Sequence, residues 1–184
     1  MRYLLAFLLC FCLLPANASA DVDEILGQTI AGGAVDGSVG QIVHTESYNI
    51  TASRIWHTSF TATVQGTVRY GHVYVGSSNS YTSYLGLYSS DGTKLLCCEI
   101  IDDSAGWKNC DGGSTVELGA GTYYIGLSQS SGQVTVGQDA DGGGGRYYDV
   151  ATPGCSTALN PEETLSAANA GFAMVWDNES GSPE

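Results

Sequence analysis

The acidic residues offer the first opening for chemistry. The stretch "DADGGGGRYYD" sets Asp139 and Asp141 two residues apart and returns to Asp149 after a glycine run. Closely spaced carboxylates and carbonyls on a flexible loop wrap oxygen-seeking divalent cations, so calcium is the expected cofactor at Asp139, Asp141 and Asp149. The pattern departs from the EF-hand loop, which needs a glutamate at its twelfth position. A solvated acidic turn fits the same residues. Asp102, Asp103 and Asp111 form a second, weaker cluster.

Aromatic residues suggest a different chemistry. Tyrosine, with 11 residues against Phe 4 and Trp 3, supplies rings that have an apolar body and a polar tip. Flat sugar rings stack on such side chains. Tyr84, Tyr88, Tyr124 and Trp107 make one candidate carbohydrate surface, and Tyr147 with Tyr148 a second. Trp56 and Trp176 lie in apolar runs and read as core.

Catalytic constellations are sparse. His57 and His72 would meet if their strands were neighbours, and with His44 they are the only histidines, but no third metal ligand has clear spacing. There is no Gly-x-Ser-x-Gly elbow, and no pair of carboxylates stands out for glycoside hydrolysis. Met174 reads as core methionine rather than a haem ligand. The sequons Asn49-Ile-Thr and Asn178-Glu-Ser matter only in a eukaryotic source.

The first twenty residues, "MRYLLAFLLCFCLLPANASA", have the layout of a secretory signal peptide over residues 1–20, cut before Asp21. A mature chain that starts with Asp21 excludes the copper centre built on an N-terminal histidine. The apolar run from Leu4 to Leu14 is about half the length a bilayer span needs, so no membrane span is expected. The expected location is extracellular or periplasmic. The chain has a formal charge of −13, and loss of Arg2 with the leader makes it −14. That charge repels phosphate backbones, which argues against nucleic acid, and favours divalent cations and neutral partners.

Outside the leader the cysteines are Cys97, Cys98, Cys110 and Cys155. An even number in an exported chain predicts two disulfides. A bond between the neighbours Cys97 and Cys98 would close a strained ring. Adjacent strand residues face opposite ways, so one of them should pair with Cys110 across a local loop and the other with Cys155. Zinc is the rival, but no CxxC or HxxxH spacing supports it.

Short alternating runs separated by turn residues predict an all-β fold, an antiparallel β-sandwich of jelly-roll type in a single domain. Residues 21–41 read as a glycine-rich N-terminal segment, 42–177 as the sandwich and 178–184 as a flexible tail. In "RIWHTSFTATV", Trp56, Thr58, Phe60, Ala62 and Val64 share one face, with His57, Ser59, Thr61 and Thr63 opposite. "SSDGT" and "QSSGQ" read as turns of two hairpins, "IDDSAGWKNCDGG" as an acidic loop, "PEETLSAA" as a short helix and "GFAMVWDN" as a strand buried on both faces. "YLGLYSSDG" from Tyr84 and "YIGLSQSSG" from Tyr124 echo each other. In both, the aliphatic pair (Leu85 and Leu87, Ile125 and Leu127) points inward. Tyr84, Tyr88 and Tyr124 then share the other face with Gly86 and Gly126, where a ring is able to lie flat over a glycine.

"YLGLYSSDGTKLL", the acidic "DDS" and "STVELGAGTYYIGLSQSSGQVTV" together resemble the bacterial pre-peptidase C-terminal domains, over roughly residues 84–137. The resemblance implies a secreted, non-catalytic jelly roll that helps a hydrolase bind or localise to polymers. This chain departs from that pattern in having four cysteines and no preceding hydrolase. The function expected is a secreted binding module for polysaccharide or another surface polymer, with calcium as its candidate cofactor. The alternatives are a structural or adhesive protein whose partner is protein or itself, and a small secreted hydrolase or metalloenzyme.

Overall fold

The computed structural model describes residues 39–40, 42, 44–63, 65–77, 81–101, 104–139, 146–149, 153–155, 158–160, 166–167, 171–181 and 183. The predicted signal peptide, most of the glycine-rich segment, Val64, Asp102, Asp103 and Asp141 lie outside the described residues.

The strands are β1 Val39–Gly40, β2 Glu46–Thr51, β3 Arg54–Ala62, β4 Gly66–Val75, β5 Thr82–Ser89, β6 Lys94–Ile101 and β7 Gly106–Leu118. They continue with β8 Gly121–Gln129, β9 Gln133–Asp139, β10 Arg146–Asp149, β11 Ser166–Ala167, β12 Gly171–Phe172 and β13 Met174–Asp177. Two antiparallel sheets pack face to face. One runs β11-β10-β3-β8-β5-β6, and the other contains β1, β13, β4, β9 and β12, with β2 on β9 and β7 on β4. No helix among the described residues is long and apolar enough to cross a membrane.

Alternation builds the interior. Along β3, Trp56, Thr58, Phe60 and Ala62 are buried while Ser59 and Thr61 are exposed, as a strand with one face on the core requires. Leu85, Leu87, Ile125 and Leu127 join the same core from β5 and β8. Facing them, Val73, Val136, Phe172, Met174 and Trp176 come from the other sheet. Residues 171–176 are buried throughout, as the run "GFAMVW" predicts. The two echoing segments are neighbours: Leu85 pairs with Leu127, Gly86 with Gly126 and Tyr88 with Tyr124.

The four cysteines form Cys97–Cys155 and Cys98–Cys110, with Cα separations of 5.5 and 5.7 Å. Cys98 lies opposite Leu85 on β5 and Cys110 opposite Gly71 on β4. Both belong to the inner faces, so this bond crosses the interior and joins the two sheets along β6 and β7. Cys97 points the other way and ties down the segment that contains Cys155.

Four sequence expectations need correction. The turn after β5 does make a hairpin: Gly92 takes φ 83° and the Asp91 carboxylate accepts the Thr93 N–H at 3.0 Å. The turn after β8 does not, because β8 is already flanked by β3 and β5 and leaves β9 no edge, so the chain crosses to the other sheet. The predicted acidic loop is mostly strand, since β7 begins at Gly106 and pairs with β4 along its length. It reads as loop because an edge strand with much of its surface in water carries polar residues. Within the predicted helix, Ser166–Ala167 is instead strand β11, paired with β10. The tail does not fray at 178: the Glu179 N–H donates to Asp177 Oδ1 at 2.9 Å and Asn109 Nδ2 to the Ser180 carbonyl at 2.8 Å.

Candidate functional site

The outer face of the six-stranded sheet holds the first set of predicted rings, and the structure closes much of it. Tyr88 is only 2% exposed, so it is not a platform for a ligand. Its ring lies flat over two glycines. A Cβ on Gly86 would fall 2.5 Å from the Tyr88 hydroxyl oxygen, and one on Gly126 would fall 3.1 Å from a ring carbon. The tyrosine–glycine pattern in this strand pair therefore serves packing. Leu159, from the segment bearing Cys155, completes a small cluster with Ile55 and Tyr88, with Tyr124 half-buried at its rim. Tyr84 is half-buried in the next row, between Ser128 and Glu99. His57, expected on an open face, is 1% exposed and lies edge-on to Tyr124 at 5.7 Å.

Tyr147 also turns away from the solvent face. It is in register with Trp56, its ring centre lies 4.2 Å from the indole, and the Arg54 guanidinium sits 4.4 Å above it. Tyr148 is in register with Ile55. Asp139 ends β9 and Asp149 ends β10, in different sheets. Asp149 is three residues beyond Arg146, about 10 Å further along β10. Among the described residues no group of three His, Cys, Asp or Glu side chains could hold a metal ion. His57 and His72 do not meet, because β3 and β4 belong to different sheets.

The outer face of the seven-stranded sheet gathers a different set. Trp107 is opposite Tyr74 in the β4–β7 ladder. The Tyr74 N–H donates to the Ala173 carbonyl and the Ala173 N–H to the Gly137 carbonyl, so Gly137 comes next in the row. His44 fills the space above that glycine, where a Cβ would fall 2.9 Å from both His44 Cβ and Tyr74 Cδ1. The His44 ring stacks on Tyr74 at 3.6 Å and 23°. Trp107 stands nearly perpendicular to both, 5.7 Å from Tyr74 and 6.1 Å from His44. All three side chains are half-buried, and buried His44 Nδ1 has no hydrogen-bond partner among the described residues. Sequence reasoning found Trp107 but missed its partners. The alternation of Tyr70, His72 and Tyr74 was a usable signal, whereas nothing in the sequence places His44 over Gly137.

Further along this face, Arg69 and Asp111 form a two-pronged ion pair at 2.9 and 2.7 Å, with the Arg69 guanidinium 5.3 Å from the Tyr70 ring. The Arg69 hydrogen bond and then the Gly113 N–H hold the Asp111 carboxyl down at about 2, from an ordinary 3.8. A depressed carboxyl contributes stability above the unfolded pKa and loses it as pH falls through the folded one. Asp111→Asn is therefore expected to lower the melting temperature slightly at neutral pH, since exposed pairs contribute little. The gap from wild type should close between pH 3.8 and about 2 in a thermal scan; a gap that persists below this window would exclude the pair as its cause.

Between the two patches, fully buried His72 holds Asp177 at 3.0 Å through Nε2. Asp177 in turn accepts the Glu179 N–H, so the pair clasps the start of the tail. His72 Nδ1 has no hydrogen-bond partner among the described residues, and the ring is closed to solvent. The pair supplies no activated nucleophile.

No family model matches the chain, and no match was found among curated proteins. Among solved structures, the chain is similar to a β-glucosidase from Paenibacillus barengoltzii, at 16% identity and a TM-score of 0.27. The match covers 50% of this chain and 10% of that enzyme, so the chain spans about a tenth of its length. A likeness this slight bears on neither activity nor site.

Proposed function

We propose that this chain is an exported, non-catalytic binding module for a neutral surface polymer, and that polysaccharide is the polymer. The observation that carries the reading is the half-exposed trio of His44, Tyr74 and Trp107, set on one sheet face beside Asn109, Tyr70, Arg69 and Asp111. Aromatic surface next to hydrogen-bonding side chains suits the apolar faces and hydroxyl rims of sugars. The formal charge of −13 disfavours polyanions. Two disulfides are consistent with an extracellular or periplasmic location. Calcium assistance, through Asp139, Asp141 and Asp149, is part of the proposal.

Retention on insoluble polysaccharides and a glycan array, each with calcium and with chelator, tests it. Trp107→Ala and Tyr74→Ala should each weaken binding about tenfold or more, the loss of roughly 1.4 kcal/mol that a central aromatic contact supplies. Tyr88→Phe should leave binding unchanged, because that hydroxyl is buried on the other sheet. Failure to bind any glycan in either condition would refute the reading. Self-association is the second reading, favoured by Ile101, an apolar residue 62% exposed at the end of β6. It is distinguished by concentration-dependent light scattering that sugars do not alter.

A further inference from the structure

The segment after β13 crosses the face that carries the proposed polymer site. Strand β4 lies between β13 and β7. Tyr70 is opposite Asp177 on one side and Asp111 on the other, and His72 is opposite Val175 and Asn109. Residues directly opposite share a face, so Asp177, Asn109, Tyr70, His72 and Tyr74 all belong to the outer one. Asp177 ends β13, yet the Ser180 carbonyl accepts the hydrogen bond from Asn109 Nδ2, on β7, at 2.8 Å. Two strand spacings come to about 10 Å, and three extended residues reach about the same. The chain from 177 to 180 is therefore too short for any route except straight over the outer face of β4.

That route divides the site. Tyr70 and Tyr74 are four residues apart on β4, about 13 Å, and with Trp107, Asn109 and His44 they would make one strip across β4 and β7. The crossing segment separates the His44, Tyr74 and Trp107 patch from the patch of Arg69, Tyr70 and Asp111, and it occupies the amide of Asn109. In the same row His72 is 0% exposed, whereas residues 178–181 are exposed throughout. The segment thus lies across the middle of the strip without joining the core. Its hydrogen bonds from Asn109 and to Asp177 are at exposed positions, where water or a sugar hydroxyl is able to replace a partner.

We propose that residues 178–181 are an autoinhibitory cover: in place, they split the polymer site, and lifted, they open one strip from Trp107 and Tyr74 to Tyr70 for a run of neutral sugars. The inference rests on the polymer reading of this face. Asp177 is held in the ladder with β4 and by His72, so the cover lifts from residue 178 onward. A polysaccharide binds the lifted form better, because only that form offers both patches and the freed Asn109 amide together. The full chain then binds with an affinity reduced by the fraction of molecules in that form.

The test compares the full chain with a form ending at Asp177. Retention is measured on cellulose, chitin and starch, and histidine labelling by diethyl pyrocarbonate is located by mass spectrometry. The shortened form should bind the retaining polysaccharide about tenfold or more tightly, the gain expected if the cover is down in about nine-tenths of molecules or more. Trp107→Ala should abolish that gain. With no polysaccharide present, His72 should be labelled about tenfold or more faster in the shortened form, while His57, buried on the other sheet, keeps its slow rate. Full-length Glu179→Pro, which removes the N–H that Asp177 accepts and leaves every residue of the face in place, should move both readouts the same way. If the shortened form does not fold, that variant decides. Equal or weaker retention without the cover overturns this inference and leaves the polymer reading standing, and so does an unchanged His72 rate. Retention of neither form on any of the three overturns both.

Discussion

Truncating Trp176 to alanine is expected to lower the free energy of unfolding by roughly 3–5 kcal/mol, the range for removing a buried tryptophan. The side chain is fully buried. Its indole lies against two glycines of neighbouring strands: a Cβ on Gly71 would fall 2.9 Å from it, and one on Gly112 would fall 3.0 Å away. Those glycines make room for the ring and have no side chains with which to fill the space it would leave. The cavity should stay open, placing the cost towards the upper part of the range. Urea denaturation followed by circular dichroism would show it as a lower midpoint with an unchanged slope. Trp176→Phe should cost less, because the indole Nε1 has no hydrogen-bond partner among the described residues to lose. A loss below about 1 kcal/mol in the alanine variant would mean that the interior is not organised around this ring.

Removing Cys97–Cys155 by serine substitution at both positions is expected to cost up to about 4 kcal/mol, and removing Cys98–Cys110 about 3, from the loops that each bond closes in the unfolded chain. The sequence separations are 58 and 12, so the surface bond carries the larger entropy. The two losses should differ in kind. Without Cys97–Cys155, the unfolded chain gains freedom while the interior stays packed, so near-ultraviolet circular dichroism should keep its native form. Without Cys98–Cys110, side chains on two inner faces lose their link, and a packing loss adds to the entropic one. Equal near-ultraviolet spectra for the two double variants would contradict this assignment.

The layers and the core were legible because alternation reports which face is dry. Trp56, Phe60, Leu85, Leu87, Ile125 and Leu127 are all inward, as the sequence reading placed them. The opposite facing of Cys97 and Cys98 followed from the same period-two rule. Partner choice was not legible. "SSDGT" and "QSSGQ" contain the same turn chemistry, yet one closes a hairpin and the other carries the chain between sheets. That outcome depends on which edges of β8 are already occupied. The outer faces were also beyond reach, because what lies over a strand comes from elsewhere in the chain. Tyr88 looked as exposed as Tyr84 until Leu159 packed against it, and Tyr74 gained its stacking partner from a histidine thirty residues away.

One consequence of the topology concerns the order in which this chain is able to fold. Among consecutive long strands, only β5 and β6 pair with each other; the others alternate between layers. The earliest described strand pairs with the last, Val39 with Trp176. The seven-stranded layer is therefore incomplete until the final segment has emerged and the six-stranded layer until β11, and partial chains expose unfinished edges meanwhile. Such non-local pairing makes for slow folding, measured in milliseconds to seconds rather than microseconds. Vectorial synthesis gives this protein little head start, because β2, β3 and β4 all wait for partners that are made later.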